Sequence, residues 1–198
     1  MNKKNISVLG GGSWGTVLAY LASLNGNYVS LWMRDKELVE TINQSRVNQR
    51  YLPSLDLSSK IKATSDMQDI ESSDTVIFCV PSDAFREVSE LASSYIQESS
   101  YLITATKGVE KEGFSLMSQI LEEHYPANSI GVISGPNLAE EIAEGQLSGT
   151  VIASQDATLR NSVIKDLSNN FFKVYENNDP YGVEMGGALK NIYAIACG

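Results

Sequence analysis

Residues 10 to 15 read Gly10-Gly11-Gly12-Ser13-Trp14-Gly15 and satisfy the spacing G-x-G-x-x-G. An apolar segment that reads as a strand precedes them, and a longer segment that reads as a helix follows. Each glycine then has a physical purpose. Gly10 permits the tight turn, Gly12 lets the backbone approach a diphosphate, and Gly15 permits close packing of helix on strand. The helix N-terminus adds amide hydrogens and the positive end of its dipole. In the first βα turn of a chain rich in such units, the pattern points to a dinucleotide. About twenty residues on, where the adenosine ribose would lie, stand Arg34 and Asp35. A carboxylate there accepts from the 2′-hydroxyl of NAD, whereas a guanidinium pairs with the 2′-phosphate of NADP. Both are present. Asp35 also suits the N-cap of the next helix, which would leave Arg34 as the reader and favour NADP(H), with NAD(H) as the alternative.

Ligands of open α/β sheets lie beyond the carboxyl ends of the strands. Three further strand ends carry residues suited to such a crevice: Val80-Pro81-Ser82, Thr106-Lys107-Gly108 and Ser134-Gly135-Pro136-Asn137. Lys107 should face the edge that bears the glycine loop. Asn137 and Glu140 have the spacing of a capping box, so free amides there could serve a second anion or simply begin a helix. The one histidine, His124, ends a polar helical turn and reads as a surface residue. Reaction of a nicotinamide at a carbonyl then needs another proton donor, and a lysine of lowered pKa can serve. Lys190 is the candidate, since it interrupts an uncharged run from Met185 to Gly198. Burial and a second cation such as Lys107 would lower its pKa. Gly186 and Gly187 precede it by one turn, and each costs about 1 kcal/mol inside a helix, so something approaches that helix closely. A snorkelling lysine, with the glycines serving packing, is the other reading.

Positioning these residues falls to short apolar runs alternating with helical periodicity, the rhythm of repeated βα units. Strands are expected at 6–9, 28–32, 61–63, 75–80, 101–105, 129–133, 150–153 and 172–175. Helices are expected at 14–24, 35–44, 82–95, 114–124, 137–144 and 157–169. Residues 45–60, with Tyr51-Leu52-Pro53, read as the longest loop and a functional one. Strands such as TVIFCV are apolar on both faces, so the fold class is α/β with a doubly wound, mostly parallel sheet. Asp179 and Pro180 should begin a last helix whose apolar positions 185, 188, 189, 192, 193 and 196 form one stripe. Residues 1–179 read as a dinucleotide-binding domain and 180–198 as the start of a further helical domain, cut short. The stripe should be buried, and left bare it should make the chain self-associate.

Composition narrows the partners. Of 198 residues 42% are apolar, and 15 basic against 24 acidic residues leave a net charge of −9. A chain so acidic has no broad basic surface for nucleic acid or anionic membranes, and no apolar run is long enough to span a bilayer. Lys3 and Lys4 before an apolar segment resemble a signal peptide, but Gly10 to Gly12 interrupt it. A cytoplasmic protein is expected, with Cys79 and Cys197 as buried free thiols and no metal site.

Together Gly10-Gly11-Gly12-Ser13-Trp14-Gly15-Thr16, Trp32-Met33-Arg34-Asp35, Tyr51-Leu52-Pro53, Val80-Pro81-Ser82, Thr106-Lys107-Gly108, Ser134-Gly135-Pro136-Asn137-Leu138-Ala139 and Leu189-Lys190-Asn191 resemble bacterial NAD(P)-dependent glycerol-3-phosphate dehydrogenases. The resemblance implies a Rossmann-type cofactor domain and interconversion of dihydroxyacetone phosphate and sn-glycerol 3-phosphate, feeding phospholipid synthesis. By position it implies that Gly10, Gly12, Ser13, Trp14, Gly15, Arg34, Tyr51, Pro81, Lys107 and Ala139 hold the cofactor. Lys107, Gly135, Asn137, Lys190 and Asn191 would meet the substrate. Lys190 would be the proton acceptor in oxidation, with Lys107 stabilising the developing charge. A homodimer is also expected. The chain departs from the family pattern in two ways. Asn137 stands where bacterial members usually carry a hydroxyl, and members continue as an all-helical domain that supplies an arginine for the substrate phosphate. Two other readings stay open: a non-catalytic dinucleotide-binding module, and a related reductase of the ketopantoate or 6-phosphogluconate kind. The Lys190-Asn191 pair and Ser134-Gly135-Pro136 disfavour the latter.

Overall fold

The computed structural model describes residues 3–198, the side chain of Asn191 excepted. Among the described residues there are ten strands: β1 Asn5–Leu9, β2 Tyr28–Trp32, β3 Val47–Asn48, β4 Leu52–Asp56, β5 Ile61–Thr64, β6 Thr75–Phe78, β7 Tyr101–Thr104, β8 Ile130–Ser134, β9 Ser148–Ala153 and β10 Phe172–Asn177. Seven α-helices accompany them: α1 Ser13–Leu24, α2 Lys36–Ser45, α3 Phe85–Ala92, α4 Met117–His124, α5 Ala139–Ala143, α6 Ala157–Leu167 and α7 Pro180–Cys197. Eight strands form one sheet in the order β10-β9-β8-β7-β6-β1-β2-β5, parallel except where β9 runs against β8. The chain therefore leaves β1 in opposite directions across the sheet, and a crevice opens between β1 and β6, where the order reverses.

Successive strand residues point to opposite faces, so strands apolar on both faces demand cover on both. Val8 and Ile77 enter a core shared with α1, α2, α5 and α6, while Leu9 and Phe78 enter a second core beneath α3 and α4. The rhythm of the sequence is realised in all eight main strands. Elsewhere the chain departs from expectation for local reasons. Residues 105–116 form a loop closed by a Val109–Leu116 bridge, with positive φ at Gly113 and Phe114, so α4 begins only at Met117. Residues 82–95 divide into a 3₁₀ turn, Ser82–Ala84, and the helix α3.

The expected loop at 45–60 is largely an antiparallel hairpin, β3 with β4. Arg46 ends α2 in the left-handed conformation, and its guanidinium donates to the carbonyls of Leu57, Ser58 and Ile61. That clasp ties both ends of the hairpin to the body. At the C-terminal end Asp179 accepts from the amide of Gly182 at 2.9 Å and Pro180 opens α7, as its sequence requires. The stripe on α7 is only half covered: Met185 and Leu189 are half-buried, while Ile192 and Tyr193 are 62% and 65% exposed. Cys197 is likewise exposed rather than buried, being on the uncovered end of that helix, and Cys79 is half-buried. No helix among the described residues is long and apolar enough to cross a membrane.

Candidate functional site

The turn from β1 to α1 is dictated by what a Cβ would strike. Gly10 has φ +124°, and a Cβ there would stand 2.5 Å from the carbonyl oxygen of Cys79, just past the end of β6. A Cβ on Gly15 would collide with the Gly10 carbonyl, so the helix can lie on the turn only without one. Gly12 differs: its backbone is ordinary extended chain, φ −73°, and a Cβ on it would meet nothing within 4 Å. Its missing side chain serves the space above it.

Gly12 is also the N-cap of α1, where the favoured residues are those whose side chains accept from the first free amides. Among the described residues no side chain caps this helix, and its first turn has no acidic residue. The opening amides and the positive helix end therefore face a cavity of about 710 Å³ lined by Gly10, Gly12, Ser13, Trp14 and Gly15. Unpartnered amides at a helix start are the arrangement that binds phosphate. The donor set fits a dinucleotide diphosphate.

The hairpin closes one wall. Asn48, fully buried, donates through Nδ2 to the Gly11 carbonyl at 3.0 Å and to Thr16 Oγ1 at 2.9 Å. Ser13 Oγ donates to the Tyr51 carbonyl at 3.2 Å. At the end of β2, Asp35 caps α2 through Oδ1, which accepts from the Leu38 amide at 3.0 Å. Its Oδ2 pairs with Arg50 at 2.7 Å. The amide bond and then Arg50 hold the Asp35 carboxyl below its usual range. Arg34, also lining the cavity, pairs with Glu87 at 3.0 Å.

Beyond β7, Lys107 reaches the same cavity and donates to the Gly135 carbonyl at 3.0 Å. Although the residue is exposed, desolvation of its ammonium, and then the charge of Lys190, push its pKa down. The loop that carries it is fastened by Arg86, which holds Glu110 at 2.5 Å and Glu123 at 2.7 Å. The expectation that Lys190 would be buried is not met. Lys190 is exposed because α7 turns it to solvent. Of the two glycines before it, Gly187 lies against Ser134 at the end of β8, whereas Gly186 faces open space. Close packing of α7 on the sheet accounts for Gly187 alone.

Tyr51 and Pro81 also line the cavity, as does Asn137 of the expected substrate group. Gly135 is brought in through Lys107. Ala139 is not in the lining: it opens α5 and packs against the larger core. Asn137 does not cap α5, which starts two residues later; its Nδ2 donates instead to the Gly149 carbonyl at 2.8 Å. The side chain of Asn191 lies outside the described ones. His124 is half-buried rather than a solvated surface group, its Nδ1 2.8 Å from Ser89 Oγ, and it does not line the cavity. Cys79 does line it, and burial pushes its thiol up to about 12, so it is no nucleophile at neutral pH. Sequence reasoning missed Arg50 and Asn48; their one signal was proximity to Tyr51 in a segment already marked as functional. No three His, Cys, Asp or Glu side chains among the described residues stand together as metal ligands.

A family model described as the N-terminus of NAD-dependent glycerol-3-phosphate dehydrogenase matches residues 5–160. A glycerol-3-phosphate dehydrogenase [NAD(P)+] of Alcanivorax borkumensis is 47% identical over 197 residues, covering 99% of this chain and 57% of that protein. Its counterpart in Saccharophagus degradans is 45% identical over 198 residues, 100% of this chain and 55% of that protein. Among solved structures, the glycerol-3-phosphate dehydrogenase of Coxiella burnetii superposes with a TM-score of 0.93 at 35% identity, covering 98% of this chain and 60% of that one. The chain spans about half the length of the curated relatives it matches.

Proposed function

The chain belongs to the NAD-dependent glycerol-3-phosphate dehydrogenase family, and from that premise we propose that it is the cofactor-binding half of an enzyme interconverting dihydroxyacetone phosphate and sn-glycerol 3-phosphate. One observation carries the reading: the uncapped start of α1 opens into the cavity at the sheet's reversal point. The amides following Gly12 hold the diphosphate. Ser13, Trp14, Tyr51 and Pro81 flank the dinucleotide, and Ala139 meets it from the start of α5. With Asp35 engaged as cap and ion pair, Arg34 is the group left to meet a 2′-phosphate, so NADP(H) is the preferred cofactor and NAD(H) the weaker one.

When bound, the nicotinamide supplies or accepts a hydride. Lys190, as ammonium, gives a proton to the substrate oxygen as the carbonyl becomes an alcohol, and takes it back in oxidation. Lys107 adds positive charge that stabilises a developing alkoxide. Gly135, Asn137 and Asn191 contact the substrate. Residues 1–179 make the cofactor domain, and α7 begins the helical half that the relatives' greater length supplies. The bare apolar end of α7 supports a covering partner there, and we take the protein to be a cytoplasmic homodimer.

Titration of the chain with NADPH and with NADH, followed by nicotinamide fluorescence, tests the binding claim: saturable binding of both, tighter for NADPH, is expected. Absence of either signal contradicts it. In the intact protein Lys190→Ala should lower kcat by about 10²–10⁴. Undiminished turnover would remove Lys190 from the chemistry and favour a non-catalytic module.

A further inference from the structure

Two ion pairs stand at the end of β2, and they partition four charges in an unexpected way. Arg34 is held by Glu87 at 3.0 Å, from outside the cavity lining, while Asp35 is held by Arg50 at 2.7 Å, from within it. Asp35 thus has both oxygens engaged, one by the amide of Leu38 and one by a guanidinium. Arg50, in contrast, gives one nitrogen to Asp35 and is also approached by the Tyr51 hydroxyl, which leaves most of a five-donor fork for a further acceptor. Its side chain is 58% exposed and lines the cavity. It projects from the turn of the β3–β4 hairpin, a segment fixed from below by buried Asn48 and by the Ser13–Tyr51 bond.

We propose that Arg50 is a specificity-determining residue for the cofactor. By pairing with Asp35 it engages the carboxylate that would otherwise accept the 2′-hydroxyl of NAD(H). Lining the same cavity as Arg34, it offers a second guanidinium to the 2′-phosphate of NADP(H). This inference rests on the dinucleotide reading of the cavity and adds to it the residue that sets the preference.

The physics favours such an exchange. A 2′-hydroxyl brings no charge and needs a free acceptor, and an acceptor bridged to arginine is a poorer one. A phosphate monoester brings between one and two negative charges and three acceptor oxygens, which suits two forks better than one. Both existing pairs are solvent-exposed and therefore weak. Arg34 can leave Glu87 for a more highly charged partner, and Arg50 can bridge Asp35 and the phosphate together through different nitrogens.

The test is a fluorescence titration of the 198-residue chain with NADPH and with NADH at one fixed ionic strength, on wild type, Arg50→Ala, Arg50→Lys and Asp35→Asn. Arg50→Ala should weaken NADPH about tenfold or more while leaving NADH unchanged or tighter. Arg50→Lys keeps the charge but loses the fork and should fall between. Asp35→Asn retains an oxygen to cap α2 and releases Arg50, so NADPH should tighten and NADH weaken. Equal losses of both cofactors in Arg50→Ala would mean that Arg50 only holds the hairpin, and would overturn the proposal. Unchanged NADPH affinity would overturn it too. A wild-type chain that binds neither cofactor overturns the cavity reading itself, and the proposal with it.

Discussion

Gly12→Asp separates the demands of the fold from those of a ligand. Because Gly12 has ordinary extended backbone and open space where its Cβ would be, aspartate fits without strain. It would also cap α1, which no side chain among the described residues now does. Aspartate exceeds glycine as an N-cap by a few tenths of a kcal/mol, and its charge at the positive helix end adds about 0.3–1 kcal/mol. At this chain length each kcal/mol moves the melting temperature by about 2–4 °C, so the variant should melt slightly higher than wild type. Binding should move the other way. The carboxylate consumes amides that the diphosphate requires and places a like charge against it. Two unit charges about 4 Å apart repel by about 4 kcal/mol at an effective dielectric of 20, nearly a thousandfold in affinity. Thermal unfolding by circular dichroism and NADPH titration by fluorescence, on the same samples, give the two numbers. A variant that melts higher and still binds NADPH as wild type does would refute the claim that the helix start is the diphosphate site.

Other consequences are more local. Gly15→Ala should destabilise the fold by about 1–3 kcal/mol or more in urea unfolding, through overpacking against the Gly10 carbonyl; a wild-type midpoint would contradict that. Asn48→Ala strands the Gly11 carbonyl and the Thr16 hydroxyl. A loss of about 1–3 kcal/mol follows, with weaker dinucleotide binding, and unchanged behaviour in both assays would exclude Asn48 as the support of the glycine loop. Buried Glu184 on α7 accepts from the amide and hydroxyl of Ser118 at the start of α4, and desolvation pushes its pKa up. The folded chain then holds this proton more tightly than the unfolded one. The group's stabilising contribution is full below the unfolded value of 4.5 and is lost as pH rises through the higher folded pKa. Glu184→Gln should remove that slope, gaining melting temperature relative to wild type as pH rises from 4 to 8; a constant difference would contradict it.

Legibility in the sequence followed the strength of each local signal. Main strands such as β6, with Val76, Ile77 and Phe78 buried on both faces, are unmistakable because only a two-sided core accepts them. The glycine loop was legible because its spacing is fixed on both sides: Gly10 and Gly15 answer steric demands of the fold, and Gly12 keeps clear the space above the helix start. The hairpin was not: β3 is two residues long, β4 carries Pro53, and a proline argues against a strand unless it lies at an edge. Arg50 followed from the same gap, since its role depends on where that hairpin returns rather than on its neighbours in sequence. Burial of Lys190 failed for a related reason. An apolar stripe shows that a helix has a covered face, but not how far along the helix the cover extends.

Most direct of all is a ¹⁵N-resolved NMR titration of the chain with NADPH, read at the amides of Ser13, Trp14 and Gly15. Large, saturable shifts are expected at these three amides and at the Arg34 and Arg50 side chains, with α4 and α6 undisturbed. Saturable binding that leaves the first turn of α1 unmoved would contradict it.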